Sequence, residues 1–264
     1  MNYKDLLSLD NHTYVVLGAG DGIGEQVSTA LSQCGARVVC VDSSAERAQR
    51  VASAIGGVAI EADVTGREDM EQVFAQAAEL PGGGPLGIVD VVGMVIRNSL
   101  ASADDAAWKR QFELVLDHAW LALSIGARAM QGRGGSIVFI GSAAGSVPRA
   151  GPALAYSAAK AGLHHLARGA ALELAPAGIR VNVVAPGLTR TPRLVQSNPP
   201  HFWASQAAQI PMRRVGEIPD VAAAVLFLAS PMASYITGNV LSLDGGASLS
   251  SGNFTLAKSE PDKT

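Results

Sequence analysis

The chain has no basic field. Its 20 Lys and Arg stand against 23 Asp and Glu, for a formal net charge of -3, and no Lys/Arg-rich block occurs anywhere along it. That excludes the electrostatic footprint of a nucleic-acid binder or of a protein held on anionic lipid. Cysteine is almost missing. Cys34 and Cys40 are the whole complement, and they read as small apolar core residues of a reducing compartment rather than as a disulfide. No uninterrupted apolar run approaches the length of a membrane span. Met1 to Asp10 contains acids and no long apolar run, so no signal peptide is expected and the expected location is cytoplasmic. The five histidines (His12, His118, His164, His165 and His201) show no ligand spacing, which argues against metal catalysis. No linker, internal repeat or low-complexity tract divides the chain.

What is present is ample core. Of 264 residues, 48% are apolar and 16% charged, which suits one large α/β domain. Apolar strand-like runs near 13–17, 37–41, 57–61, 87–92, 135–140, 180–185 and 239–243 alternate with helix-like stretches near 22–34, 44–55, 66–79, 104–130, 153–175 and 218–229. Runs such as Ile137-Val138-Phe139-Ile140 are continuously apolar, as parallel strands covered on both faces must be. Strict alternation predicts a single-domain doubly wound (Rossmann) α/β fold with a seven-stranded parallel sheet over 1–248. Residues 249–264 read as a polar C-terminal tail, and Pro81 to Pro85 as a loop. From Leu188 to Val215 the rhythm breaks, with Pro192, Pro199, Pro200 and Pro211 among Leu194, Phe202, Trp203, Ile210 and Met212. Because this stretch follows a strand's carboxyl end, it is read as a substrate lid over about 188–215 rather than a packed connector.

Two clusters carry chemistry. Val15-Val16-Leu17 feeds the glycine-dense turn Gly18-Ala19-Gly20-Asp21-Gly22-Ile23-Gly24, which opens a helix. Such a turn brings a pyrophosphate against bare backbone N–H groups at the positive end of that helix. Asp42 ends the next apolar run, roughly 20 residues on, where a carboxylate meets an adenosine ribose. The second cluster is Tyr156-Ser157-Ala158-Ala159-Lys160, with Ser142 upstream at the end of a predicted strand. Tyr156 and Lys160 share one helix face. An ammonium nearby favours a phenolate, so the pair makes an acid–base catalyst for a carbonyl or alcohol oxygen, with Ser142 orienting that oxygen. A hydrolase using Ser142 is disfavoured, because Gly141-Ser142-Ala143-Ala144 is no Gly-x-Ser-x-Gly elbow.

At these residues the chain resembles the short-chain dehydrogenase/reductase family, from about Leu9 to Gly246. The family's Thr-Gly-x-x-x-Gly-x-Gly turn corresponds to Leu17 through Gly24, and its catalytic Ser, Tyr and Lys to Ser142, Tyr156 and Lys160. The resemblance implies that Gly18, Asp21, Gly22, Ile23 and Asp42 hold the cofactor, as do Asp63-Val64 at the adenine and Gly93 after the fourth strand. It places Pro186-Gly187, Leu188, Thr189 and Thr191 at the nicotinamide end, and gives Tyr156 and Lys160 a cofactor contact as well. Asn182, Gly238 and Asp244-Gly245-Gly246 also fit. Three positions depart. The family's Asn-Asn-Ala-Gly reads Asp90-Val91-Val92-Gly93, Leu17 replaces the opening threonine, and Val115 stands where the family has an asparagine that helps hold a water linking the lysine to solvent. Asp90 is left open between a cofactor-side carboxylate and a satisfied strand-end group. His118, one turn beyond Val115, is read as a surface or core histidine before a replacement for that asparagine.

Asp42 accepts from ribose hydroxyls and repels a 2′-phosphate, by ~4 kcal/mol per charge pair at 4 Å and an effective dielectric of 20. Ser43 and Ser44 follow it, and Arg47 is read as solvated, so NAD is expected over NADP. The expected activity is NAD-dependent interconversion of a hydrophobic secondary alcohol and its ketone by hydride transfer. The alternative is a NAD-binding regulatory or scaffolding protein with weak or no turnover. Arg149, Arg190 and Arg193 near the mouth are read as a solvated rim. The resemblance implies a dimer or tetramer packed through helices 104–130 and 153–175, with no nucleic-acid or membrane partner.

Overall fold

A computed structural model describes residues 2–80, 87–97, 99–102, 104–148 and 153–249. The Pro81–Pro85 loop, Arg149 and the tail from 250 onward lie outside the described residues. Seven strands form one sheet in the order β3-β2-β1-β4-β5-β6-β9. They are β1 (Thr13–Leu17), β2 (Arg37–Asp42), β3 (Val58–Glu61), β4 (Gly87–Asp90), β5 (Gly135–Ile140), β6 (Ile179–Pro186) and β9 (Val240–Leu243). Every pairing is parallel, with Leu17 beside Val41 on one side and Asp90 on the other. Helices α1 (Ile23–Gln33), α2 (Ala45–Ile55) and α3 (Arg67–Ala78) return the chain between the first strands.

Alternation along β1 shows why the sheet is covered twice. Val15 and Leu17 join a core with Phe74, Ile88, Ile137 and Leu163, while Tyr14 and Val16 point the other way into a core with Val27, Leu31, Val89 and Val225. A strand buried on both faces has no polar face to show, hence the continuous apolar runs. The strand order reverses between β1 and β4, and a crevice opens there at the carboxyl ends, where such sheets place ligands.

Three differences from the sequence expectation bear on the site. First, β4 stops at Asp90 rather than Val92, because the Asp90 carboxylate itself accepts the Val92 N–H at 3.0 Å and pulls the chain out of the ladder. Second, the helix over 104–130 is interrupted by two π-helical turns. It runs as α4 (Asp105–Phe112), the turn Glu113–Asp117, α5 (His118–Leu121), the turn Ala122–Gly126, and α6 (Ala127–Ala129). Such turns re-aim side chains within a helix. Third, the segment after β6 is ordered as β7 (Thr189–Arg190), α8 (Pro192–Ser197), α9 (Pro200–Gln209) and β8 (Gly216–Glu217), with β7 paired to β8. The long α7 (Leu154–Leu174) and the buried α10 (Ile218–Ala229) complete the layers. Among the described residues no helix is long and apolar enough to cross a membrane.

Candidate active site

The glycine turn is built for close approach. Gly18 and Gly22 take φ of +81° and +60°, the left-handed region that favours glycine. A Cβ on Gly24 would overlap the Gly18 carbonyl, so only glycine lets α1 start this near the strand. Gly20 N–H donates to Asp42 Oδ2 at 3.0 Å, which fastens the turn to the end of β2. Beyond it lies a cavity of about 270 Å³ lined by Gly18, Asp42, Asp63, Val64 and Val92, among others. The Asp63 carboxyl is held below its ordinary range chiefly by the Thr65 hydroxyl and backbone N–H, against the pull of burial. A bare-backbone turn, a helix start, a ribose-ready carboxylate and a base-sized cavity in sequence fit a dinucleotide.

Arg47 corrects one expectation. Its half-exposed guanidinium is not free in solvent but paired with Asp42, with Nη2 2.6 Å and Nε 3.0 Å from Oδ1. Ser44 causes this. Its backbone N–H donates to Asp42 Oδ1 and its hydroxyl caps α2 by accepting from Arg47 N, so the first turn of α2 folds over the carboxylate. Asp21 is exposed and turned outward, bonded to Arg50 at 2.8 Å and lying 3.6 Å from Arg47.

At the other end of the crevice a cavity of about 710 Å³ is lined by Ser142, Tyr156 and Lys160 together with Ile23, Gly93 and the stretch Pro186, Gly187, Leu188, Thr189 and Thr191. The sheet end and α7 thus bring together residues far apart in sequence. Lys160 is fully buried and donates from Nζ to the Ile140 carbonyl at 2.7 Å. Burial pulls its ammonium down to about 8, with the Asp90 carboxylate opposing. The Tyr156 phenol behaves differently from the sequence expectation. Burial pushes it up, and the Ser142 hydroxyl bonded to it offsets only part of the rise. Nζ stands 5.8 Å from the Tyr156 ring centre and is already committed to Ile140, so in the protein alone desolvation outweighs the ammonium.

Three supports had no role, or no settled one, in the sequence reading. His164 lies one turn beyond Lys160 on α7, so Tyr156, Lys160 and His164 recur every fourth residue on one face. Its Nε2 accepts the Ser142 backbone N–H at 3.4 Å, and burial first, then the Lys160 and Arg168 charges, hold the ring down to about 4. Gly141 and Gly145 leave the room for that imidazole. Asp90 and His118 are the other two. They pair behind the site, with Nε2 3.1 Å from Oδ1. The Asp90 carboxylate also accepts the Val92 N–H at the strand end, and it does not line the cavity. Val115 is buried and offers no side-chain hydrogen bond.

The residues of the 188–215 segment divide. Leu188 and Leu194 face the cavity. Trp203 and Ile210 instead form a small core with Val215, with Phe202 packed against it, and Met212 is exposed. Arg190 lies over the Trp203 ring and 3.6 Å from Glu217, while Arg193 and Arg97 line the cavity. Among the described residues no group of His, Cys, Asp and Glu is placed to hold a metal ion.

Comparison with known proteins agrees with this architecture. The sequence profile of the Enoyl-(Acyl carrier protein) reductase family matches residues 18–248. Galactitol 2-dehydrogenase (L-tagatose-forming) of Cereibacter sphaeroides is 38% identical over 253 residues, covering 93% of this chain and 98% of its own. The cis-4-hydroxycyclohexanecarboxylate dehydrogenase of Sinomonas cyclohexanicum is 37% identical over 238 residues, covering 88% and 94%. A solved 7α-hydroxysteroid dehydrogenase, complexed with NADH and 7-oxo glycochenodeoxycholic acid, superposes with a TM-score of 0.87 at 31% identity over 93% of this chain and 98% of that one. The chain belongs to the short-chain dehydrogenase/reductase family of nicotinamide-dependent oxidoreductases.

Proposed function

We propose that the protein is an NAD-dependent oxidoreductase that interconverts a hydrophobic secondary alcohol and its ketone. The observation that carries the proposal is the meeting of Ser142, Tyr156 and Lys160 on one cavity with Gly93 and the 186–191 stretch. Bound NAD supplies the acceptor and donor of hydride. Ser142 holds the substrate oxygen by a hydrogen bond. Tyr156 takes the alcohol proton in oxidation and returns it in reduction. Burial raises the phenol above its ordinary value and the Ser142 bond opposes that rise; a nearby ammonium such as Lys160 favours the phenolate by its charge. Lys160 also holds the nicotinamide ribose, with Pro186, Gly187, Leu188, Thr189 and Thr191 at the nicotinamide, Gly18, Gly22 and Ile23 at the pyrophosphate, and Asp63 and Val64 at the adenine.

NAD is preferred because Asp42 closes the ribose end with a carboxylate, and Asp21 adds a second negative charge beside it. A hydrophobic carbon skeleton is supported by the apolar wall of Met94, Val95, Ile140, Leu188 and Leu194. The hydroxycyclohexanecarboxylate and hydroxysteroid relatives act on ring alcohols by their names. Trp108, Trp120, Leu154 and Leu172 are exposed on α4, α5 and α7, and they supply a face for a dimer or tetramer.

Two measurements test the reading. NADH and NADPH are titrated by nucleotide fluorescence, and reduced-nicotinamide absorbance is followed with NAD and a panel of cyclic secondary alcohols beside linear polyols such as galactitol. Tighter NADH and faster cyclic alcohols support it. Equal or tighter NADPH overturns the cofactor assignment, and faster polyols overturn the hydrophobic substrate.

A further inference from the structure

Behind the lysine lies a buried acid that the proposed chemistry leaves idle. Asp90 ends β4 between Leu17 of β1 and Phe139 of β5. Its side chain and that of His118 are each 1% exposed. His118 Nε2 stands 3.1 Å from Asp90 Oδ1 and 3.0 Å from Oδ2, astride the carboxylate. The other ring nitrogen, Nδ1, is 3.3 Å from the Glu113 carbonyl oxygen. Both neighbours of the ring, the Asp90 carboxylate and the Glu113 carbonyl, are acceptors. The π-helical turn Glu113–Asp117 sets both contacts, since it places the Glu113 carbonyl and the His118 ring on the same side of the helix.

Lys160 reaches the same carboxyl end of the sheet from α7. A Cβ on Gly93, three residues past Asp90, would lie 3.0 Å from Nζ. Nζ donates to the carbonyl of Ile140, the residue that follows Phe139, the cross-strand partner of Asp90. Two of the three Nζ donors are left for other groups. Asp90 Oδ2 is buried and, although His118 Nε2 lies 3.0 Å away, it accepts no aligned hydrogen bond among the described residues. An acid and an imidazole buried this deeply are costly to desolvate, and an apolar pair of similar volume would pack here at less cost. Their retention beside a buried ammonium has a use when the ammonium must stay charged.

We infer that Asp90 and His118 are positioning residues of the active site: the Asp90 carboxylate keeps the buried Lys160 ammonium charged and in place, and His118 holds that carboxylate. The inference rests on the proposed role of Lys160 beside Tyr156. It accounts for an acid at Asp90, where the family resemblance leads one to expect an amide, and for a histidine one turn beyond Val115. The remaining titratable groups around Lys160 are Tyr156 and His164, both on α7. The residues of β5 next to it, Phe139 and Ile140, do not titrate, and the turn at 113–117 faces His118 with a backbone carbonyl.

The test reads Lys160 directly. The chain has five lysines (Lys4, Lys109, Lys160, Lys258 and Lys263), so carbon-13 lysine labelling gives a short spectrum in which Lys160 is assigned by its loss in Lys160→Met. Titrated from pH 6 to 11 in the full chain, the Lys160 midpoint in Asp90→Asn is expected to fall by about one pH unit or more. His118→Gln keeps a donor toward Asp90 and leaves the midpoint within about half a unit of wild type. If Asp90→Asn fails to fold, His118→Leu carries the test, with a fall in the same direction. An unmoved midpoint in the variant that folds overturns the inference. Tyr156→Phe with full turnover would instead remove the underlying acid–base reading, and that result is separable because the lysine titration needs no turnover.

Discussion

The Arg47 guanidinium lies against the Asp42 carboxylate, 2.6 Å from Nη2 to Oδ1, while Gly20 N–H holds Oδ2. Both acceptor oxygens at the ribose end are therefore engaged in the protein alone. Arg47 is half exposed, and an ion pair so placed is worth only ~0–1 kcal/mol. Arriving ribose hydroxyls can displace it. Asp42→Ala is expected to weaken NADH binding about tenfold, or ~1.4 kcal/mol, and to narrow the gap to NADPH. Arg47→Ala is expected to leave NADH binding unchanged or tighter and to weaken NADPH, because it removes the only cation touching Asp42 among the described residues. Fluorescence titration of both nucleotides checks the pair. Tighter NADPH in Arg47→Ala would contradict it.

His164 gives a pH prediction with a definite sign. In the folded chain its ring is held down to about 4 against an ordinary 6.5. Below pH 6.5 the unfolded chain takes up a proton that the folded chain refuses until about pH 4. Stability therefore falls as pH drops through that window, and none of this loss occurs above it. His164→Asn should flatten the acid side of the Tm–pH curve. It should also lower kcat by about tenfold or more, since Ser142 loses the acceptor of its backbone N–H. Thermal melts from pH 4 to 8 and initial rates at pH 8 read the two effects.

Gly24→Ala tests the turn. The added methyl would overlap the Gly18 carbonyl, which is backbone and cannot swing aside. Loss of a few kcal/mol is expected, with nucleotide binding lost in whatever folds. Gly169→Ala, where nothing lies within 4 Å of the new Cβ, is the matched control and should raise Tm slightly, because alanine favours a helix interior by about 1 kcal/mol over glycine. Circular-dichroism melts and NADH titration separate the two.

The exposed Trp120 on α5 tests assembly. Trp120→Asp should shift the protein to a smaller species in light scattering at micromolar concentration, while the Tm of the fold moves little because the side chain is 54% exposed. An unchanged mass for Trp120→Asp, or a monomeric wild type, would contradict the proposed interface.

The sheet was legible because its rule is local. A run such as Ile137 to Ile140 carries its burial in its own composition, and Tyr156 with Lys160 carries its geometry in a four-residue spacing. His164 obeyed the same spacing one turn on and was open to the same reading. Asp90 and His118 were not, since they meet across 28 residues and through a π-helical turn that no periodicity announces. Arg47 was misread because α2 bends back over Asp42 only through the Ser44 cap. Trp203 and Ile210 were assigned to the substrate because apolar residues near a site look alike in sequence whether they line a cavity or pack the lid beneath it.

The most direct measurement compares wild type with Tyr156→Phe by the appearance of reduced-nicotinamide absorbance, using the fastest alcohol of the panel, with NADH affinity measured on the same samples. Tyr156→Phe should lose about 100-fold or more in rate and bind NADH as wild type does. A variant that turns over at the wild-type rate would contradict the assignment of the phenol as the group that moves the proton.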